Sequence, residues 1–300
     1  MAIKKRSLAI CFMVLTTLST SSFAAEKAKT MQEIIDASTA SDWRTPDPNN
    51  LLLMDIPGGR VVIELAPQFA PEHVANIRSL AKAGYWNGLA IIRSQDNFVV
   101  QWGDTAQDPK NVKSLGNAKA KLPVEFAIKG LDKKEFHSVS DKDPWSKTAG
   151  FVDGFPAANN GKQTWMAHCY GDVGAGRGNE EDSSNGAELY VVIGQSPRWL
   201  DRNITSVGRV LQGMEFLSSL PRGNGPLGFY EKPEQYVPIK SIALASTLPE
   251  AQRVNLEVFK TDTKAFDALV EARRNRNDDF YHNPAGHIDL CNIPIPVRVK

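Results

Sequence analysis

Cysteine is scarce: the 300 residues hold three, too few for a scaffold stapled by several disulfides, so stability is expected to come from a packed core. Neither sign of charge dominates, with 35 Lys plus Arg against 34 Asp plus Glu. No overall field then draws phosphate backbones or anionic lipid to the chain, and no nucleic-acid partner is expected. Long hydrophobic runs are missing too. The apolar stretch Leu8–Leu18 fades into Thr and Ser after about 11 residues, whereas a spanning helix needs about 20. There is no Gly-x-Ser-x-Gly elbow and no His-Glu-x-x-His pair, which removes support for hydrolases of those two classes. No internal repeat is visible. What is present, 42% apolar and 23% charged residues, is the composition of a globular chain able to bury a core.

The first residues read as an address. Lys4, Lys5 and Arg6 precede the short apolar run, and Ser22-Phe23-Ala24 offers small side chains at the −3 and −1 positions of a cleavage site. Residues 1–24 are therefore expected to be a signal peptide, with a mature chain starting at Ala25, secreted across the inner membrane to the periplasm and not inserted in a membrane. A lipoprotein is disfavoured, because Cys11 follows Ile10 and sits too early. Cleavage removes three positive charges and no negative ones, turning +1 into −2. Cys169 and Cys291 then remain, and the sequence leaves open whether they bridge or stay as two buried thiols.

Along the mature chain, 25–45 is a polar lead-in with a short helical patch at Met31–Ile35. Leu51–Ile56 and Arg60–Leu65, around Pro57-Gly58-Gly59, have the form of a hairpin. Pro71 opens a helix in which Val74, Ile77, Leu80 and Ala81 share a face and Gly84 stands past the end. Apolar runs recur at 89–93, 97–102, 163–170, 189–194, 206–211 and 239–245, giving about eight strands and pointing to a barrel or sandwich. A second short helix fits Met214–Leu220. Residues 108–162 and 171–186, rich in Gly, Asn, Asp and Lys, read as long surface loops. After Ala245, Arg253–Phe259 alternates like a strand, and Phe266, Leu269, Val270 and Arg273 mark a helix capped near Asp262. Asp289–Lys300, with Pro294 and Pro296, is expected to run extended over the surface.

Two tempting patterns lack context. Gly171–Gly178 superficially resembles a phosphate cradle, but the acidic run Glu180-Glu181-Asp182 follows and no helix signal does. His282, His287 and Cys291 match no common zinc spacing. No metal or cofactor is implied.

Another segment is more specific. Arg93, Phe98, Gln101 and Gly103-Asp104 keep the spacing of the cyclophilin signature, which the segment Ile92–Asp104 resembles. Further matches follow in that family's order: Trp165-Met166-Ala167-His168, Asn185-Gly186-Ala187-Glu188-Leu189-Tyr190, Trp199-Leu200-Asp201, and Gly208-Arg209-Val210. The resemblance runs from about Asn50 to Ala245. It implies a mainly β chain, a closed eight-stranded antiparallel barrel with two flanking helices, over 46–247 with loop insertions at 108–162 and 171–186. A C-terminal extension of strand, helix and extended tail occupies 248–300.

The resemblance also implies peptidyl-prolyl cis-trans isomerase activity, and the residue types suit that chemistry. Rotation about an X-Pro amide breaks partial double-bond character against a barrier of about 18–20 kcal/mol, with no covalent bond made. It calls for an apolar socket and a fixed cationic donor that favours the twisted amide. By resemblance Arg93 is the catalytic donor. Phe98, Val99, Tyr190 and Leu200 wall the proline pocket, and Gln101 positions substrate or Arg93. Ala167, His168 and Cys169 bind peptide partly through their backbone. Trp199 lies on the rim, at the position associated with cyclosporin, so a cyclosporin-like inhibitor joins Pro-containing polypeptide segments as an expected partner. The departures from the family pattern are His168, Glu188, Tyr190, Val99 and Ile204, which stand where Asn, Gln, Phe, Met and His are usual. Glu188 and Ile204 keep a rival reading open, a peptide-binding chaperone or scaffold module with weak turnover.

Overall fold

The computed structural model describes residues 29–106, 108, 110–129 and 135–300; the expected signal peptide lies outside them. Nine antiparallel strands form the main sheet. From one edge to the other they are Val237–Pro238, Ala90–Ser94, Val99–Gly103, Leu189–Val192, Asp172–Ala175, Thr205–Gln212, Gly59–Leu65, Leu51–Ile56 and Ser241–Leu244. The ladder is open, which corrects the expected closed eight-stranded barrel. Both edge strands belong to one stretch of chain: Ile239 N–H bonds Leu89 O at 2.8 Å and Lys240 N–H bonds Asp55 O at 2.9 Å. One short connector thus ties the two edges of a curled sheet. Inside the curl, alternate side chains such as Leu52, Ile63, Val100, Trp102, Val191 and Val207 are buried, the period-2 pattern of a sheet with one face in the core.

The expected helix is present at Pro71–Lys82, with Pro at its first turn and Val74, Ile77, Leu80 and Ala81 buried against that core. Its N-cap, Ala70, has no capping side chain. Glu125 supplies the missing acceptor, its two oxygens each 2.9 Å from the N–H of Glu72 or His73. A carboxylate there also meets the positive end of the helix dipole. The second flanking helix is shorter than expected, Met214–Ser218.

The segment expected as a long loop at 108–162 instead builds most of a second sheet. Its five strands run in the order Ile128–Lys129, Gln163–Met166, Phe155–Asn159, Thr148–Val152 and His137–Val139. Gln163–Met166, taken above as a barrel strand, belongs to this sheet. Similarly, 171–186 is not all loop, because Asp172–Ala175 is a central strand of the main sheet. The apolar residues of the second sheet, Phe151, Val152, Phe155, Ala157 and Met166, are buried.

Lead-in and C-terminal extension meet in a third sheet, Trp43–Arg44 with Leu256–Phe259 with Val297–Val299. The strand expected at Arg253 starts at Leu256, and the final helix, Lys264–Arg274, is capped by Thr263. The tail does not lie free on the surface as expected. It turns at Leu290–Asn292, pairs through Val297–Val299, and is bridged by the Cys169–Cys291 disulfide, Cα to Cα 5.0 Å. That answers the open cysteine question, and it removes Cys291 as a metal ligand. No helix among the described residues is long and apolar enough to cross a membrane.

Candidate active site

Arg93 sits on the strand Ala90–Ser94, one position from a bulge against Val99–Gly103, so that it pairs with Gln101. Three of its donors are occupied. Nε bonds Leu227 O at 2.7 Å, Nη1 bonds Gln101 Oε1 at 2.8 Å, and Nη2 bonds Gln95 Oε1. A guanidinium carries five N–H groups, so one N–H on each Nη is left for a ligand. The guanidinium carbon lies 5.5 Å from the centre of the Phe98 ring and 5.1 Å from that of Phe229, within range of attraction to both aromatic faces. Burial lowers the Arg93 pKa and the nearby Glu188 carboxylate opposes the shift. An arginine has ample margin and stays charged.

The link to Glu188 runs through Gln101, whose Nε2 donates to Glu188 Oε1. Gln101 is buried and Glu188 exposed. The acid thus fixes the amide so that its carbonyl faces Arg93.

Beside this group lies a small apolar cluster. Val99, Tyr190 and Val192 are buried, with Phe98 and Ile204 packed against them. Trp199, 57% exposed, stacks on Phe98 at 6.5 Å and 12°. Leu200, half-buried, ends the short turn Arg198–Leu200 next to it. Strand pairing accounts for much of this convergence: Tyr190 faces Gln101 and Val192 faces Val99 across the ladder. On its other side Tyr190 faces Gly174. A Cβ at Gly174 would stand 2.1 Å from the Tyr190 hydroxyl oxygen, so the ring occupies the space of the missing side chain.

The Tyr190 hydroxyl extends the site inward. It lies 2.9 Å from His168 Nε2, while His168 Nδ1 and backbone N–H each meet Asp201 Oδ1 at 3.0 Å. The other oxygen of Asp201 accepts from Trp165 Nε1 at 3.0 Å and Arg198 Nε at 2.7 Å. Burial opposes ionisation of Asp201, but the hydrogen bond from His168 and the charge of Arg198 prevail and hold its pKa below the usual value. Burial pushes Asp172 up to about 7, against the 2.9 Å hydrogen bond from Ser206 Oγ, which favours the carboxylate. Burial also raises Tyr190, so its hydroxyl stays protonated.

Ala167, His168 and Cys169 are not presented as an open strand. The strand ends at Met166. Their N–H groups go to Pro156 O, Asp201 Oδ1 and Ala167 O. Ala167 and Cys169 pack in a different cluster with Phe151, Phe259 and Phe266. The residues brought together are therefore Arg93, Phe98, Val99, Gln101, Glu188, Tyr190, Trp199 and Ile204, with His168 behind Tyr190. Gln95, Leu227 and Phe229 also hold Arg93 and were not anticipated. Gln95 lies inside the signature segment, but nothing local marks Leu227 or Phe229. A cavity of about 790 Å³ lies elsewhere, between Arg44, Pro67, Ile128, Phe151 and Lys260. It shares no residue with the Arg93 group, and the hydrogen-bonded geometry is the better guide to chemistry.

Comparison with known proteins identifies the family. The model of the family described as cyclophilin type peptidyl-prolyl cis-trans isomerase matches residues 51–244. The chain belongs to this isomerase family. A protein of Brucella suis biovar 1 (strain 1330) named as a probable peptidyl-prolyl cis-trans isomerase is 26% identical over 185 residues, 59% of this chain and 74% of the relative. The peptidyl-prolyl cis-trans isomerase-like 1 of Aspergillus fumigatus is 25% identical over 169 residues, 56% of this chain and 80% of that one. Among solved structures, cyclophilin AquaCyp293 from Hirschia baltica is similar with a TM-score of 0.70 at 27% identity, over 90% of this chain and 97% of that one. The match to this cyclophilin covers more of the chain than residues 51–244.

Proposed function

We propose that this cyclophilin accelerates rotation about X-Pro bonds in exported or unfolded polypeptides, with Arg93 as the catalytic residue. The observation that carries the reading is the guanidinium fixed by three hydrogen bonds at the edge of the Phe98, Val99, Tyr190 and Ile204 cluster. In a planar amide the nitrogen lone pair is delocalised and accepts hydrogen bonds poorly. As the bond twists, the lone pair returns to nitrogen, and a free Nη–H of Arg93 gains an acceptor absent in the ground state. Only such differential binding speeds the reaction, at tenfold per about 1.4 kcal/mol. The proline ring enters the apolar cluster with Phe98, Val99 and Tyr190 as walls, and Gln101 holds Arg93 in plane. No general acid or base is required.

Exposed Trp199 stacked on Phe98 supports a rim for the flanking peptide and for a cyclosporin-like ligand. Export is supported by the basic, apolar and small-residue order of residues 1–24, and by the disulfide, which suits an oxidising compartment such as the periplasm. A second reading, a peptide-holding module with weak turnover, is favoured by the exposed carboxylate of Glu188, which is joined to Arg93 through Gln101 and offsets part of the guanidinium charge that substrate would meet.

A protease-coupled isomerisation assay on short X-Pro peptides tests the proposal. Arg93→Ala is expected to lower kcat/KM by about 10²- to 10³-fold, the usual loss for a transition-state donor. Equal rates would remove Arg93 from the mechanism. Peptide binding without acceleration by either protein would leave the holding module.

A further inference from the structure

Resting on that reading, we propose that Phe229 is a positioning residue for the isomerisation, acting through Arg93 together with the Leu227 carbonyl. Beyond the signature segment, the strand carrying Arg93 is bordered by the loop 223–230. Gly223 N–H bonds Ser94 O at 2.9 Å and Tyr230 N–H bonds Ile92 O at 3.0 Å. Between these ties Arg93 and Phe229 form an antiparallel bridge. The loop is therefore anchored on both sides of Arg93.

Its shape is specified locally. Gly225 N–H bonds Phe229 O at 2.9 Å and Phe229 N–H bonds Pro226 O at 3.2 Å, which closes a tight turn. Gly228, at φ +78°, leaves no room for a side chain, since a Cβ would stand 2.6 Å from Gln95 Cα. Leu227 holds φ +58° although it is not glycine, a conformation that costs free energy and persists where surrounding contacts impose it. It brings the Leu227 carbonyl to Arg93 Nε. The Leu227 side chain is 68% exposed, so its own packing does not explain the turn.

A long cationic side chain at a cleft edge samples many rotamers unless it is held, and catalysis needs the donors fixed where charge develops. Gln95 and Gln101 hold the two Nη groups. The Leu227 carbonyl holds Nε, and the Phe229 ring supplies an aromatic face 5.1 Å from the guanidinium carbon. Phe98 provides such a face too, but it also walls the pocket. Phe229 is the aromatic neighbour of Arg93 that does not belong to the apolar cluster.

The test is a kinetic cycle on the full-length mature protein with Arg93→Ala, Phe229→Ala, Phe229→Leu, Phe229→Tyr and the Arg93→Ala/Phe229→Ala double variant. Alongside it, solvent exchange of the Arg93 Nε–H is followed by NMR in the proteins that retain Arg93. Phe229→Ala is expected to lower kcat by about tenfold with KM within about twofold, and to speed Nε–H exchange. Phe229→Tyr restores both, while Phe229→Leu, which fills space without an aromatic face, restores them only in part. In the Arg93→Ala background removing Phe229 has no further effect. Unchanged kcat and exchange in Phe229→Ala would overturn the inference, as would an equal loss in both backgrounds, which would make Phe229 a direct substrate contact. If Arg93→Ala itself keeps full activity, the functional reading fails, and the exchange measurement still decides whether Phe229 fixes the guanidinium.

Discussion

Tyr190 and His168 illustrate how single side chains depart from the family pattern and remain compatible with its pocket. Tyr190 uses its ring to wall the apolar cluster and its hydroxyl to satisfy His168, whose other nitrogen is held by Asp201. Tyr190→Phe keeps the wall but leaves the buried His168 Nε2 with only the longer 3.5 Å contact to Ser206 Oγ. It is expected to cost about 1–3 kcal/mol in denaturant unfolding with little change in kcat/KM. Gly174→Ala should do more damage, because a methyl group there collides with the Tyr190 ring. A loss of about 1–3 kcal/mol is expected, with reduced activity because the pocket wall is displaced. Asp172 is the pH-sensitive member of this group. Folding raises its pKa from 3.8 to about 7, so between those values the native state holds a proton that the unfolded chain releases. Stability from this group is complete at low pH and is lost as pH rises through about 7. Asp172→Asn should flatten that decline, which melting temperatures at pH 5 and pH 8 will read; an unchanged slope would reassign it to other groups. The order of the signature residues was readable in the sequence because local spacing on paired strands carries it. The roles of Asp201 and Asp172 were not, since burial and partners arise only when distant segments pack.

At the level of elements, the periodic ones were legible: the 51–65 hairpin, the helix at Pro71 and the strand carrying Arg93 stand close to where hydrophobic spacing put them. The second sheet was missed although it carries a local signal. Val152-Asp153-Gly154-Phe155 places Asp-Gly between apolar residues, and both turn residues have positive φ, +47° and +81°, the requirement of a two-residue hairpin turn. Surrounding Lys, Asn and Gly outweighed it in a reading by composition. The tie between that insertion and the Pro71–Lys82 helix had no sequence signal, since Glu125 caps it from far along the chain. Glu125→Gln leaves a single acceptor for two N–H groups, and a loss of about 1 kcal/mol is expected at neutral pH. The Glu125 pKa lies below 4.5 despite its burial, because His73 and the helix N–H groups favour the carboxylate. Its contribution is present above 4.5 and disappears as pH falls through the lower folded value, so wild type and variant should converge in acid.

For the whole molecule, the three sheets make the C-terminal extension part of one folded unit with the lead-in, rather than a tail. The Cys169–Cys291 bridge closes a long loop, with a sequence separation of 122. Cys291→Ser, or reduction, is expected to lower stability by about 2–5 kcal/mol. Calorimetry under matched conditions reads this directly, and no change would show that the third sheet holds the tail unaided. Catalysis as proposed, in contrast, depends on a few atoms around Arg93 at the edge of the main sheet. The decisive measurement is exchange NMR on a saturating X-Pro peptide bound to wild type and to Arg93→Ala. Both should bind with similar affinity, because the apolar cluster is intact in each, while on-enzyme cis–trans exchange in the variant should fall towards the rate of free peptide. Exchange that stays fast without the guanidinium would contradict the assignment of Arg93 as the group that stabilises the twisted amide.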